Sequence, residues 1–593
     1  MKHLIMIVDL VQLGGQVSKL DYSKLRKQLQ KEGEVPSWYT TAGLQLFYEK
    51  YSYENETVKS RMTSIARTMA QHVPSVYPDY WEEDPYTQGR TWEQVFFSTL
   101  WDGFISPSTP MMANAGVRKR GTTVSCSGGV VGNNLFDRYD AITEAAILTK
   151  HSHGTSYGID DWPAEGTVLP RGGRSLGVMP LIRDFINCMN EVTQGSRRGS
   201  LAYSLRPQHG DFDKVLAYLY EETESNNIGW LLDDEFKEAM DSQDPLTHSK
   251  WERMCGVKLP RGKGYYTFIS KCRRHLAEAF RRAGLEFHAS NLCQECVLPA
   301  NWEYTYSCVI LNYNLELWDS WPKHLVQIGQ VMSDCNITEY LETIDEMTAY
   351  DKQAMRKIRK FTNDFRALGS GVLGWHTLMQ RKQFVVGDLH SFILNDQIFS
   401  HLDEESRAAT QWLAKVLGEP DGCKGLGIRN ATRLMMPPTK STAELMAGAS
   451  EGIGLDTAMA FTKQSAGGEF FRINKVLLEI MKERKVYNDE TIMRIAKTRS
   501  VQGEDWLNEH EKKVFRSAFE IPMESYLQLC SQRQKYIDQG QSINLYFTSN
   551  DTEEYMSKIH KQAFDDEGIL ALYYIYSMRG AGTIKRAECE LCM

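Results

Sequence analysis

Apolar side chains recur at helical spacing through GLQLFYEKYSYENETVKSRMTSIARTMAQH at residues 43–72, and again through EQVFFSTLWDGF at 93–104. The first hundred or so residues therefore predict a helical region. The character changes in SPSTPMMANAGVRKRGTTVSCSGGVVG at 106–132, where Pro, Gly, Ser and Thr punctuate short β-prone runs. From there to about residue 575, short strands alternate with longer amphipathic helices, the alternation of an α/β sheet or barrel. Within it, CMNEVTQGSRRGSLAYSL predicts a Gly-bounded loop, and DKQAMRKIRKFTNDFRALGSGVLGWHTLMQ a long helix with a Gly-rich stop. QSINLYF and ILALYYIYSM predict strands. The final RGAGTIKRAECELCM has no apolar periodicity and reads as a mobile tail. No repeat of solenoid period and no low-complexity tract interrupts the chain.

Composition narrows the class. With 593 residues, 42% of them apolar and 24% charged, a sizeable core forms without disulfide staples. A net charge of −8 argues against a protein that coats nucleic acid or an anionic membrane. A local basic pocket for a phosphate ester remains open at GVRKRG (116–121), QGSRRGS (194–200) or KCRRHLAEAFRRAG (271–284), each of which also reads as a solvated face. Asp9 breaks the N-terminal apolar run, which is too short for a signal peptide, and no apolar run reaches 18 residues. The expectation is a cytoplasmic protein whose twelve cysteines are reduced core thiols, except where special spacing marks a redox cycle.

Such spacing occurs in EFHASNLCQECVLPANWEYTYSCVILNYNLEL at 286–317, where Cys293 and Cys296 flank Glu295 and Cys308 follows. A second C-x-x-C, Cys589 and Cys592, lies among the last five residues. One reading joins the pairs in a four-cysteine zinc site. Zinc knuckles are usually ~12–20 residues apart, whereas about 290 residues separate these. Thiol–disulfide exchange by a tail dithiol is the other reading, with a disulfide elsewhere in the protein as its target. In NLCQE, an extended backbone would project Asn291, Cys293 and Glu295 to one side: a reactive sulfur, a base and an orienting amide. A papain-like protease is not favoured by the motif alone, since such triads assemble in space rather than in sequence. Thr439, Lys440, Ser441 and Thr442 precede a helix-prone run and serve either a phosphate or an ordinary N-cap. Tyr573 and Tyr574 read as core aromatics, or as a one-electron relay if the enzyme uses radicals.

Taken in order, these motifs resemble the large, catalytic subunit of class I ribonucleotide reductase from about residue 105 to the C-terminus. SPSTPMMANAG followed by Ser125-Cys126 is similar to the family's substrate-phosphate segment and first redox cysteine. TQGSRRGS resembles its specificity loop, with Gln194, Arg197 and Arg198. SNLCQE resembles the finger-loop Asn-x-Cys-x-Glu, SCVILNYNL the second redox cysteine, MPPTKSTAELMAGASEGI the phosphate turn, and ALYYIYSMRG the tandem tyrosine. The resemblance implies a ten-stranded α/β barrel (106–575) around a central finger loop, after a helical region (1–105) and before a flexible redox tail (576–593). It implies Cys293 as the thiyl radical, Glu295 as base for the 3′-hydroxyl, and Asn291 as its hydrogen-bonding partner. Cys126 and Cys308 would become the disulfide, Cys589 and Cys592 would re-reduce it, and Tyr573 and Tyr574 would relay the radical. Ser108, Thr109, Ser125, Thr439, Lys440, Ser441 and Thr442 would hold the substrate. Cys296 has no role in this scheme.

The implied activity is reduction of ribonucleoside diphosphates to deoxyribonucleotides. No cofactor or metal resides in the chain. The implied partners are a metal-containing radical-generating small subunit, thioredoxin or glutaredoxin, and a second copy in a homodimer, with dNTP or ATP as effectors and neither nucleic acid nor membrane. No V-x-K-R-D-G motif announces an ATP-cone domain, so the compact, cone-less branch is expected. Two alternatives stand beside this: a cobalamin-dependent class II reductase, which needs no tyrosine relay, and a zinc-stabilised binding module built on both C-x-x-C pairs.

Overall fold

Threonine caps start three helices of the N-terminal region of the protein, a computed structural model of which describes residues 21–81, 84–194, 197–221, 227–465 and 468–578. Thr40, Thr57 and Thr91 each accept a bond from the backbone N–H three residues on, opening helices Thr41–Lys50, Val58–Ala70 and Trp92–Trp101. The apolar stripe predicted for 43–72 is thus two helices, parted between Tyr51 and Thr57. Their buried faces, including Phe47, Met62, Ile65 and Phe96, join one core with the barrel strands and with the deeply buried helix Leu325–Asp345. This burial supplies the main force that seats the helical region on the barrel.

Sixteen strands follow in the described residues: β1 (Ile105–Pro107), β2 (Cys126–Val130), β3 (Gly154–Gly158), β4 (Thr193–Gln194), β5 (Arg197–Arg198), β6 (Leu201–Leu205), β7 (Asn227–Leu232), β8 (Tyr265–Phe268), β9 (Tyr306–Cys308), β10 (Ile310–Asn314), β11 (Gly369–Leu373), β12 (Ala460–Ser465), β13 (Gly468–Ile473), β14 (Leu545–Phe547), β15 (Ala571–Leu572) and β16 (Ile575–Ser577). A seven-stranded sheet runs β15-β8-β7-β6-β3-β2-β9. Its five inner strands are parallel and its outer two antiparallel. Strands β3, β6, β7 and β8 are buried along their whole length, as expected of parallel strands covered on both faces.

The opposing wall is less regular. β10 pairs antiparallel with β1 and parallel with β11. Single parallel bridges continue it, Ser370 to Leu434 and Met436 to Gln541, and β14 then pairs in parallel with β16. The architecture is the α/β barrel that the resemblance implies. Its strand pairing is divided among separate sheets rather than closed in one ten-stranded ladder.

Several local expectations change. The long helix predicted from residue 351 is two short ones, Ala349–Ala354 and Arg356–Phe365, and the Gly-rich stop after them is strand β11. A Cβ on Gly369 or Gly371 would come within 2.4 Å of Met435 or Pro437, so the glycines let segment 434–437 close against the strand. Strand β16 carries regular pairing to Ser577. A tail beginning at 576 is therefore corrected: sheet structure runs past that boundary.

An ionic knot fixes this wall. Asp334, on helix Leu325–Asp345, takes Arg366 Nε at 2.8 Å, Arg429 Nε at 2.8 Å and Asn430 Nδ2 at 2.9 Å. Burial would raise the Asp334 carboxyl, but the charges of Arg366 and Arg429 outweigh it and hold the group at about 2. Its folded value lies below its unfolded value. The stability it contributes is therefore present above the ordinary carboxylate range and lost as pH falls through about 2. Asp334→Asn is expected to cost about 3 kcal/mol at neutral pH by leaving buried guanidinium charge uncompensated. The gap from the parent protein should narrow at pH 3, which urea unfolding at the two pH values measures.

Candidate active site

The segment 286–300 crosses between the two walls and bonds to both. On the first wall, Ser156 Oγ of β3 donates to Ser290 O at 2.7 Å, and Thr267 Oγ1 of β8 donates to Gln294 Oε1 at 2.5 Å. Tyr306 Oη donates to Ala289 O at 3.3 Å, and its ring lies where a Cβ on Gly128 would intrude at 2.1 Å. This gives the glycines after Cys126 a packing role. On the second wall, Gly540 N donates to Glu295 O at 2.8 Å. Ser542 Oγ reaches Cys293 O at 2.7 Å and Glu295 Oε2 at 3.0 Å. Hydrogen bonds from two independent walls pre-organise the loop tip.

The tip is a turn, not the extended strand expected from NLCQE. Gln294 N bonds back to Asn291 O at 3.1 Å, with Gln294 in the left-handed region at φ 69°. Asn291 Oδ1 accepts from Cys296 N at 3.1 Å and from Ser290 Oγ at 3.3 Å, so the amide braces the turn. Its buried Nδ2 makes no hydrogen bond. Cys293 and Glu295 still face one cavity because the turn, rather than a period of two, brings them there.

That cavity, of about 40 Å³, is walled by Ser108, Thr109, Ser125, Cys126, Cys293, Glu295, Ile310, Asn312, Pro438, Thr439 and Thr442. Six of the residues singled out from the sequence thus meet at one place with the Cys293–Glu295 tip. Ser108 caps helix Thr109–Asn114 through Met111 N. Thr439 Oγ1 accepts from Gly452 N at 2.7 Å, and Thr442 Oγ1 donates to Thr439 O at 3.0 Å. Asn291, Lys440 and Ser441 do not line the wall. Ser441 Oγ accepts from Lys50 Nζ at 2.9 Å, and Tyr51, whose phenol burial pushes up to about 12, meets Thr109 Oγ1 at 3.3 Å. The helical region therefore buttresses both hydroxyl-bearing segments. The basic stretch at 116–121 is engaged elsewhere, Arg118 pairing with Glu339 and Glu342 and Arg120 bonding the Tyr51 carbonyl.

Cys126 and Cys308 are direct cross-strand partners between β2 and β9. Opposed antiparallel residues hold their Cα atoms about 4.5–5.5 Å apart, within the ~4.4–6.8 Å that a disulfide spans. Both are buried and neither is in a disulfide here, and burial pushes the Cys308 thiol well up. Cys296 does not join Cys293: its thiol meets Met435 Sδ at 3.9 Å, and the Cys308 thiol meets the same sulfur at 4.0 Å.

Tyr573 Oη donates to Cys293 Sγ at 3.5 Å, and the Tyr573 and Tyr574 ring centroids are 4.0 Å apart. The pair occupies the break between β15 and β16 and not the continuous strand predicted for it. Tyr573 N bonds Ile543 O, and Leu545 N bonds Tyr574 O. Gln194 and Arg197 pair across the β4–β5 hairpin, the predicted specificity loop, whose side chains fall outside the described residues. Cys589 and Cys592 lie outside the described residues as well.

Ser542, Met435 and Asn312 were not singled out from the sequence. Ile310 and Asn312 alternate on β10 toward the cavity, a period-two signal within reach of sequence reading. Ser542 and Met435 carry no such signal, since their roles depend on strands meeting across the barrel.

A cysteine-tipped loop inside an α/β barrel, facing a second cysteine whose cross-strand neighbour is a third, defines a thiol-based redox enzyme. Family models described as "Ribonucleotide reductase, barrel domain" and "Ribonucleotide reductase, all-alpha domain" match residues 247–425 with 421–575, and 37–120. A Frog virus 3 (isolate Goorha) protein, named among the ribonucleoside-diphosphate reductase large subunits, is 26% identical over 81% of this chain and 86% of its own length. A vitamin B12-dependent ribonucleoside-diphosphate reductase of Thermoplasma acidophilum is 23% identical over 77% of this chain. The match spans 62% of that relative, less than two thirds of its length. The alpha subunit of the class Id ribonucleotide reductase of Actinobacillus ureae superposes with a TM-score of 0.81 at 25% identity, covering 92% of this chain and 98% of its own. The chain belongs to the ribonucleotide reductase family, as a large, catalytic subunit. No described helix is long and apolar enough to cross a membrane.

Proposed function

We propose that this chain reduces ribonucleoside diphosphates at the Cys293 cavity, by class I chemistry, with its radical delivered from a separate small subunit. One observation carries the reading: Cys293 Sγ lies 3.5 Å from the Tyr573 hydroxyl and on the wall of a cavity shared with Cys126 and Glu295. Oxidation of Tyr574, then Tyr573, and then the Cys293 thiol leaves a sulfur radical facing the substrate. That sulfur takes the 3′-hydrogen of the ribose while Glu295 takes the 3′-hydroxyl proton. The 2′-hydroxyl leaves as water with a proton from the Cys126–Cys308 dithiol. The dithiol supplies the two electrons, gives its other hydrogen to C2′ and becomes a disulfide; Glu295 returns its proton to O3′ and Cys293 its hydrogen to C3′. Nucleotide and dithiol thus yield deoxynucleotide, disulfide and water.

Walls on both sides of the loop keep bulk water from the radical. Ser108, Thr109, Thr439 and Thr442 hold the diphosphate, and the unpaired Asn291 Nδ2 supports a hydrogen-bonding role toward substrate oxygen. Cys589 and Cys592 re-reduce the disulfide and exchange with thioredoxin or glutaredoxin. A homodimer and nucleotide effectors acting through the 193–198 hairpin complete the reading.

The purified chain with a radical-generating small subunit and dithiothreitol is expected to form deoxynucleotide from a ribonucleoside diphosphate. It is expected to form none with adenosylcobalamin and no second protein. Turnover in that last mixture would overturn the class I reading in favour of class II.

A further inference from the structure

Cys308 lies between two thiols rather than beside one. Cys126 faces it across the sheet. Cys296 and Cys308 both place their sulfurs against Met435 Sδ, at 3.9 and 4.0 Å. The ligand atoms of Glu295, Cys296 and Cys308 all lie within 4.8 Å of one another, and all three residues are buried. The Cys296 and Cys308 sulfurs, no more than 4.8 Å apart, have about 3 Å or less to close to reach the roughly 2 Å separation of a disulfide. The Met435 thioether, soft and without an exchangeable hydrogen, holds both sulfurs without competing for the bond.

Access differs among the thiols. Cys126 lines the substrate cavity, whereas Cys296 and Cys308 do not. A disulfide moved from Cys126 to Cys296 therefore moves from the cavity wall into the core.

We propose that Cys296 is a third redox thiol of this site, exchanging into the Cys126–Cys308 disulfide to give Cys296–Cys308 and to return Cys126 as a thiol. In the step, the Cys296 sulfur, having lost its proton, attacks Cys308 Sγ. The Cys296–Cys308 bond forms as the Cys126–Cys308 bond breaks, and the Cys126 sulfur leaves with the electron pair and takes up a proton. No outside oxidant or reductant is consumed. The oxidising equivalent is parked away from the substrate while the cavity-facing thiol is restored. The idea rests on the reaction proposed above, which is what makes the first disulfide. Burial pushes the Cys296 thiol up to about 12, so the exchange should quicken as pH rises.

The test maps disulfides by mass spectrometry after diamide oxidation of the reduced full chain, and needs no turnover. In Cys126→Ser, diamide is expected to link Cys296 to Cys308, with loss of iodoacetamide labelling at both when the oxidised chain is labelled in denaturant. In Cys126→Ser with Cys296→Ser, Cys308 should still label in denaturant. The parent chain, oxidised by diamide or by one turnover without reductant, should yield both the Cys126–Cys308 and the Cys296–Cys308 peptides. If the parent chain gives Cys126–Cys308 alone and Cys126→Ser keeps both thiols, the third-thiol proposal is overturned and the reductase reading stands. If neither disulfide forms in the parent chain, the proposed dithiol chemistry falls with it. Mapping on the parent chain decides the matter even where Cys126→Ser fails to fold.

Discussion

Cys293→Ser is expected to abolish deoxynucleotide formation while leaving nucleotide binding and the fold close to those of the parent protein. The argument starts with bond strength. Taking hydrogen from a ribose carbon requires a sulfur radical, because the S–H bond formed is comparable with the C–H bond broken and the step can run both ways. A serine O–H bond is much stronger, so the tyrosine radical beside it cannot oxidise the hydroxyl. The substitution is small in every other respect. The side chain keeps its shape, the loop tip is held through the Cys293 carbonyl by Ser542, and Tyr573 Oη gains an oxygen within reach. Filter binding of labelled nucleotide should therefore change little, while deoxynucleotide falls to background. Turnover in Cys293→Ser at more than a trace would show that another residue carries the radical. A parallel loss of binding and thermal stability would show that Cys293 acts by packing.

Much of this site was legible as a list of residues, and little of it as an arrangement. Thr439 and Thr442 stand out through local chemistry and the family resemblance adds Ser108, Thr109, Ser125 and Cys126; the cavity collects all six with Cys293 and Glu295. Their meeting depends on sheet order: β2 lies beside β9 although far from it in sequence, and no periodicity within either strand announces the Cys126–Cys308 pairing. Family resemblance implied that pair; the residues alone did not. The extended reading of NLCQE failed because the left-handed Gln294 and the Asn291 bonds turn the backbone, a conformation that glutamine propensity gives no reason to expect. The adjacency of Cys293 and Cys296 misled for the same reason, since the turn sends one thiol to the cavity and the other to Met435. Helices were easier. A 3.6-residue stripe and a threonine cap are local, whereas a glycine-rich strand such as β11 is defined only by what packs over it.

Tyr573→Phe tests the link between this geometry and a radical arriving from outside the chain. The substitution removes one oxygen and keeps the ring, so packing against Tyr265 at 5.0 Å and Tyr574 at 4.0 Å should persist. Phenylalanine cannot be oxidised at the potential of a tyrosine, and it has no hydroxyl to exchange a proton with Cys293 Sγ. The expected result is loss of deoxynucleotide formation to background when a small subunit supplies the radical. Nucleotide binding should be unchanged, and diamide should still close the Cys126–Cys308 disulfide, because neither depends on the relay. Tyr574→Phe should show the same separation one step further from the thiol. Parent-like turnover in Tyr573→Phe would mean that the radical reaches Cys293 without the phenol, and the pair would then be core aromatics around β8. Activity of the variant with adenosylcobalamin but not with a small subunit would point to a radical made within the chain. The 3.5 Å contact between Tyr573 Oη and Cys293 Sγ is thus the place where class I and class II chemistry make opposite demands on one oxygen atom.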